Sequence, residues 1–270
     1  MAAPASDKLT KKKSLTGPLT IAAIAMFGLS MFVLLKRAPS SSDPAPTEAK
    51  FAVPARALRV FSLNVTALDP DRAIAAINAA HPDIVMLQGV RTADVERIGR
   101  AIGMSRANEK AGDVFYPAQN FQGPETPFGN AIFSRWPLYE GRSIPNRGGS
   151  FGVWAVAMID GAKIMVASAC ATDSSSQVLG TQDVQSVRQR ELSMLVRAHE
   201  ELGRPPMLLA GKFAQLTPEL QKLISTRAES LAQEGDQLLI AAGDGSSPWK
   251  IERVDLPADV PGICVDAKPH

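Results

Sequence analysis

A metal ion or an activated nucleophile needs imidazoles, thiols or carboxylates held close together, and this 270-residue chain is sparing with the first two. Its histidines are His81, His199 and His270, and its cysteines are Cys170 and Cys264. The cysteines are far apart and form no Cys-x-x-Cys, so zinc-site spacing is missing. Asn64 closes one apolar run, Lys212 closes another, and Asp236 and Asp259 stand at the edges of later ones. Taken singly, each has an ordinary role. An Asn ending a strand is a turn former. The two aspartates read as loop carboxylates or caps, and Lys212 reads as a solvated ammonium on an apolar stem. Arg135, before Trp136-Pro137, reads as a surface or stacking residue rather than a phosphate clamp. Whether these groups amount to a site depends on the elements that carry them.

The stretch Leu58 to Val90 sets the pattern for those elements. Arg59 to Val65 is a β-type run; Asp69 can cap a helix whose first position is Pro70. Ala73, Ile74, Ile77 and Ala80 line one face of that helix, and Ile84 to Leu87 forms a second buried strand ending in Gln88-Gly89. Thr92 is placed to cap a second helix, with Val95, Ile98 and Ile102 inward and Gly103 as its stop. Strand–helix–strand–helix order predicts an α/β layered fold. Val114 to Tyr116 is a short strand, followed by a Gln/Asn/Gly/Pro-rich loop to Phe128. Phe151 to Ile159 and Lys163 to Cys170 are strands joined by Asp160-Gly161-Ala162, a strong hairpin signal. A polar loop, Thr172 to Gln182, leads to a helix over Asp183 to Leu202, with Val187, Leu192, Leu195 and Leu202 inward and Gly203 as its stop. Met207 to Ala210 is a buried strand, and Thr217-Pro218 opens another helix. Asp236 to Ala241, Ile251 to Leu256 and Ile263 to Val265 complete the sheets.

The chain is 45% hydrophobic and 21% charged, an ordinary globular balance, and its formal net charge of +2 provides no general basic field for nucleic acid. Several of the positive charges lie in a polar, lysine-bearing tail over residues 1–16. Residues 17–36 follow as an apolar run, Pro18 to Leu35, closed by Lys36-Arg37. That length matches the roughly 20 residues a membrane-spanning helix needs. A cleaved signal peptide carries a shorter apolar region and a small-residue cleavage site, so the run is read as an uncleaved anchor. Lys8, Lys11, Lys12 and Lys13 outweigh Lys36 and Arg37, which places the amino end in the cytoplasm and the domain on the extracytoplasmic side. Residues 37–55, rich in Pro, Ser and Ala, read as a disordered tether. Residues 56–267 form the domain.

In that domain the order of motifs resembles the endonuclease/exonuclease/phosphatase family, whose fold is similar to that of deoxyribonuclease I. The resemblance rests on Leu58-Arg-Val-Phe-Ser-Leu-Asn64, on Ile84-Val-Met-Leu-Gln88, on Gly129-Asn-Ala-Ile-Phe-Ser-Arg-Trp-Pro137 and on Leu209-Ala-Gly-Lys-Phe-Ala214. It implies a four-layer α/β/β/α sandwich: two β-sheets against each other, flanked by helices and preceded here by one N-terminal transmembrane helix. It also implies hydrolysis of phosphate esters. That chemistry uses a carboxylate-held Mg²⁺, a His–Asp pair that activates water, and Asn and His donors on the phosphate.

Position by position, the resemblance keeps the scaffold and loses the chemistry. Asn64 is retained beside the implied metal site. Gly89 stands where the family places the metal-binding Glu, and Ala169 where it places the phosphate-binding His. Lys212 and Ala214 replace the Asp and Asn of Leu-Ala-Gly-Asp-Phe-Asn. Asp236 precedes a strand where the family reads Asp-His or Asp-Tyr. Asp259 is retained from the terminal Ser-Asp-His, with Val260 in place of the general base. In this topology His81 and His199 are remote from the site and His270 ends the chain. The domain is therefore expected to be a pseudoenzyme, a binding or scaffold module that needs no cofactor and meets an unknown protein or phosphate-containing ligand. Two alternatives stay open: a Mg²⁺-dependent phosphodiesterase, phosphatase or nuclease with a rebuilt site, and a metal-free phosphate-ester binder using Lys212 and Asn64. Lys212 could also stand in for the metal by pairing with Asp236 or Asp259. Cys170 and Cys264 flank the active-site end of such a sandwich, which leaves both a disulfide and two free thiols open.

Overall fold

The computed structural model describes residues 52–105, 112–116, 128–146, 149–171, 184–213, 230–234, 237–242, 249–257 and 260–270. The expected tail, anchor and most of the tether, the helix at Thr217-Pro218, and Asp236, Ala214 and Asp259 lie outside them. Among the described residues no helix is long and apolar enough to cross a membrane.

The domain opens with β1 (Leu58–Asn64), α1 (Pro70–Ala80), β2 (Ile84–Arg91) and α2 (Thr92–Ala101). β3 (Asp113–Phe115), β4 (Phe128–Ser134), β5 (Leu138–Asn146), β6 (Gly149–Ile159) and β7 (Ala162–Cys170) precede α3 (Val184–Glu201). The chain closes with β8 (Met207–Lys212), β9 (Ser230–Glu234), β10 (Gln237–Ala242), β11 (Trp249–Arg253) and β12 (Ile263–Pro269). One six-stranded sheet runs β11-β12-β1-β2-β4-β3 and the other β5-β6-β7-β8-β10-β9. Each has one parallel pair, β1–β2 or β7–β8, amid antiparallel neighbours.

Three apolar layers hold the sheets and helices together. Leu58, Val60, Met86, Ile132, Val153, Val166, Ala210 and Val265 fill the space between the sheets. Phe61, Leu87 and Phe133 turn the other way, onto Ala73, Ile77, Val95 and Ile98 of α1 and α2. Met165, Ala167, Leu209 and Ile240 turn onto Leu192 and Leu195 of α3. These layers follow from strand alternation, since successive side chains face opposite sides of a sheet. The expected four-layer sandwich is present.

Several local expectations shift. Asp69 does cap α1, its carboxylate accepting from Asp71 N at 2.8 Å behind Pro70. Thr92 does not cap α2: Arg91 is the N-cap residue with no side-chain cap, and the Thr92 hydroxyl meets Tyr116 Oη at 2.7 Å instead. The β6–β7 hairpin turns on Asp160-Gly161 alone, with Ala162 already paired to Ile159. Both turn residues have positive φ, 50° and 81°, which matches the mirror-image turn that suits strand twist. His199 is fully buried at the end of α3, where Nε2 donates to the Pro205 carbonyl at 2.6 Å just before β8 begins. His81 caps α1 in the left-handed region just before β2. Both histidines thus sit at the opposite end of the strands from Asn64 and Lys212. At that same end Arg135 Nε donates to the Pro82 carbonyl, while the guanidinium stacked on Trp136, 4.5 Å from the ring centroid, is that of Arg56.

Candidate functional site

The parallel pairing of β1 with β2 puts Asn64 beside Gln88, and that of β7 with β8 puts Cys170 beside Lys212. These strand ends meet at one end of the space between the sheets, called the cleft below, where the sequence reading places its site. Alternation decides which side chains line it. Along β8, Leu208 and Ala210 belong to the core between the sheets, so Lys212 is in phase with them at the mouth. Along β7 the same phase is held by Ser168 and Cys170. Ala169 instead joins the α3-facing layer with Met165 and Ala167. The cleft-side neighbours of the expected histidine position are therefore Ser168 and Cys170. Val260 likewise packs into the layer against α1 and α2.

At Gly89 the departure from a metal site involves backbone as well as side chain. β2 is bulged: Leu87 pairs with Ala131 and Val90 with Gly129, so Gln88 and Gly89 together face the single residue Asn130. Gly89 takes φ +67°, a conformation a residue with a Cβ adopts only at a cost. A Cβ built there would lie 2.0 Å from Thr66 Oγ1 and 3.0 Å from Thr66 Cβ. Thr66 is held in place by Asn64, whose Oδ1 accepts from both Thr66 N at 3.0 Å and Thr66 Oγ1 at 2.8 Å. Asn64 thus closes a turn, and its carbonyl oxygen is already engaged.

Gln88, fully buried, crosses from one sheet to the other. Its Nε2 donates to Ser168 Oγ at 3.0 Å, to Met86 O at 3.1 Å and, at 3.4 Å, to Ser62 Oγ. Ser168 passes its own proton to Leu87 O at 3.0 Å. None of Thr66, Ser62 and Ser168 was picked out by the sequence reading. Nothing in a Ser or Thr marks it in sequence as a strut across a sandwich; only the pairing registers do. Arg91 ends β2 with its guanidinium 5.7 Å from the Phe128 ring centroid, adding a second cation at the strand ends.

The described residues at these strand ends do not fit a divalent metal. Position 89 has no carboxylate, Thr66 fills the space where one would start, and Lys212 brings an ammonium to the mouth. Among the described residues no group of three His, Cys, Asp or Glu side chains could hold a metal ion.

Cys264 belongs to the layer that faces α1 and α2, whereas Cys170 follows the cleft side of the other sheet. Cys170 and Cys264 form no disulfide, because alternation points Cys264 away from the sheet that carries Cys170. Burial pushes the Cys264 thiol up to about 11. The group stays neutral in the fold and ionises near pH 9 when unfolded, so its contribution is intact below pH 9 and declines as pH rises toward 11. The loss is on the order of 2–3 kcal/mol. Alkylation at neutral pH is expected to label Cys170 first and Cys264 only on unfolding, with a Cys264→Ala variant showing a flatter stability profile between pH 9 and 11. Rapid labelling of both thiols in the folded protein would contradict this placement.

The bulged β2, the cleft between two mixed sheets and the helices outside them define a sandwich of the deoxyribonuclease I-like kind. The chain belongs to the endonuclease/exonuclease/phosphatase family, whose model matches residues 60–244. Among solved structures it is similar to the endonuclease/exonuclease/phosphatase from Beutenbergia cavernae, at 16% identity and TM-score 0.57, over 79% of this chain and 72% of that one. It is similar to the human Nocturnin catalytic domain, at 15% identity and TM-score 0.58, over 85% and 100%. It is also similar to sphingomyelinase C from Streptomyces griseocarneus, at 14% identity and TM-score 0.52, over 78% and 99%. At these identities the likeness is one of fold. No curated protein sequence matches the chain.

Proposed function

We propose that this domain is a non-catalytic member of its family, a binding or scaffold module held at a membrane by residues 17–36 and facing the extracytoplasmic side. One observation carries the non-catalytic reading: at the position of the metal-binding glutamate the backbone is left-handed and Thr66 occupies the side-chain space. Loss of a single catalytic group can cost several powers of ten in rate, and groups that act as a unit fail together. The anchor reading is supported by the length and flanking charges of the apolar run.

A second reading, a metal-free phosphate-ester binder, is favoured by the phase of β8, which brings Lys212 to the mouth beside Cys170. A cation there would meet a phosphate oxygen directly, where the family interposes a metal.

The test is thermal melting of the full chain in Mg²⁺ or Mn²⁺ against chelator, with hydrolysis of generic phosphodiester and phosphomonoester substrates followed in parallel. A specifically bound metal at a hundred times its Kd would add about 2.7 kcal/mol, or roughly 5–10 °C for a domain of this size. The expected result is no shift and no turnover. Chelator-sensitive turnover would sink the proposal. A saturable shift with phosphate esters and no metal would select the second reading.

A further inference from the structure

We propose that the base of the cleft binds an O–H donor from outside the chain at Gln88 Oε1, supplied by a captive water or by a hydroxyl of the cleft's ligand. The inference rests on the reading of the cleft as a binding site and adds the chemistry of the group it takes.

Two features of the network fix the direction of the Gln88 amide. Met86 O can only accept, so the group facing it is the NH₂ end. Ser168 gives its single proton to Leu87 O, so it too receives a proton from Gln88. A flipped amide would set its carbonyl oxygen against the Met86 carbonyl. Oε1 therefore points away from all three partners. Among the described residues it has no hydrogen-bond partner, on a side chain that is 0% exposed. Buried acceptors of this kind are satisfied by ordered water or by a ligand.

The place gives the acceptor its meaning. Gln88 lies at the bulge beneath the mouth, paired with Asn64 on one side and bonded to Ser168 of the other sheet. A phosphoryl oxygen would bring an acceptor against an acceptor. A divalent ion would meet an amide carbonyl beside a Gly89 that offers no carboxylate. A neutral hydrogen-bond donor completes Oε1 without a further charge, and an O–H is the donor that water and a hydroxyl-bearing ligand share. A ligand that reaches this end of the sheets would thus present a hydroxyl to Gln88.

The experiment uses full-length protein labelled with ¹⁵N-glutamine in detergent micelles. The Gln88 side-chain amide pair is assigned by its loss in Gln88→Leu. Should that variant fail to fold, Ser168→Ala, which removes a partner but keeps the amide, identifies the same pair by its shift. A cross-peak between these protons and a long-lived water supports the captive-water source. A saturable shift with ethylene glycol that 1,2-dimethoxyethane, the same skeleton without donors, does not produce supports the ligand-hydroxyl source. Neither signal, or equal responses to the two solutes, overturns the proposal. Chelator-sensitive turnover in the hydrolysis assay would sink the non-catalytic reading and leave this result standing, so the two failures are distinguishable.

Discussion

A Gly89→Glu variant is expected to lose stability and to gain no response to Mg²⁺. Restoring the family's carboxylate is the obvious way to re-arm the site, and the backbone forbids it. The new residue would have to hold φ +67°, about 1–2 kcal/mol uphill for a residue with a Cβ. Its Cβ would also start 2.0 Å from Thr66 Oγ1. Thr66 cannot yield without breaking its two bonds to Asn64 Oδ1, worth roughly 1 kcal/mol each. Together these amount to about 3–4 kcal/mol, or a melting temperature lower by roughly 6–16 °C for a domain of this size. The double variant Thr66→Gly with Gly89→Glu should recover the steric part and leave the backbone part. A Gly89→Glu protein that melts like wild type, or that Mg²⁺ stabilises, would show that this strand end readily adopts a metal-binding conformation.

The same position shows what the sequence could and could not reveal. That Gly89 lacks a carboxylate is read directly from Gln88-Gly89. That its φ is left-handed depends on the bulge opposite Asn130, which needs the register of β2 on β4. The central strands were legible because β1, β2 and β8 are buried on both faces and run almost uniformly apolar. β5 was not recognised. It is an edge strand broken by register shifts between Tyr139 and Arg142 and between Ile144 and Pro145, so its residues keep no clean alternation. β9, the edge of the same sheet, left no signal either.

For the candidate site, motif order points to a set of strand ends that the sheets bring together, and alternation then sorts the residues on them by face. Lys212 is in phase with the residues of β8 that face the other sheet. Ala169 and Val260 turn into the outer layers, while Ser62, Thr66 and Ser168, small polar residues without a motif of their own, build the base. A match along the chain carries no facing information unless each strand's phase is fixed by its buried neighbours. Sequence named the strands of the cleft more reliably than the side chains that line it.

Gly211→Ala is expected to be the most damaging small substitution at this end of the fold. Gly211 lies beside Ala169 in the parallel pairing of β7 and β8, and the two backbones meet there with no room for a methyl group. A Cβ at 211 would sit 1.8 Å from the Ala169 carbonyl oxygen, 2.7 Å from its carbonyl carbon and 3.1 Å from its nitrogen. These are backbone atoms, so no rotamer change can relieve the overlap. β8 would have to move away from β7, opening the ladder that also carries the bond from Ala171 N to Lys212 O at 2.9 Å. Overlap of this kind falls in the upper tail of single-substitution effects, about 4 kcal/mol or more. A melting temperature lower by roughly 10–15 °C is expected, or failure to fold. Because Lys212 is the next residue, the displacement would also move the mouth of the cleft, and phosphate-ester binding, where present, should weaken with it. A Gly211→Ala protein that melts within a few degrees of wild type would mean that β7 and β8 stand further apart than their pairing requires, and that Lys212 is not held at the mouth by that pairing.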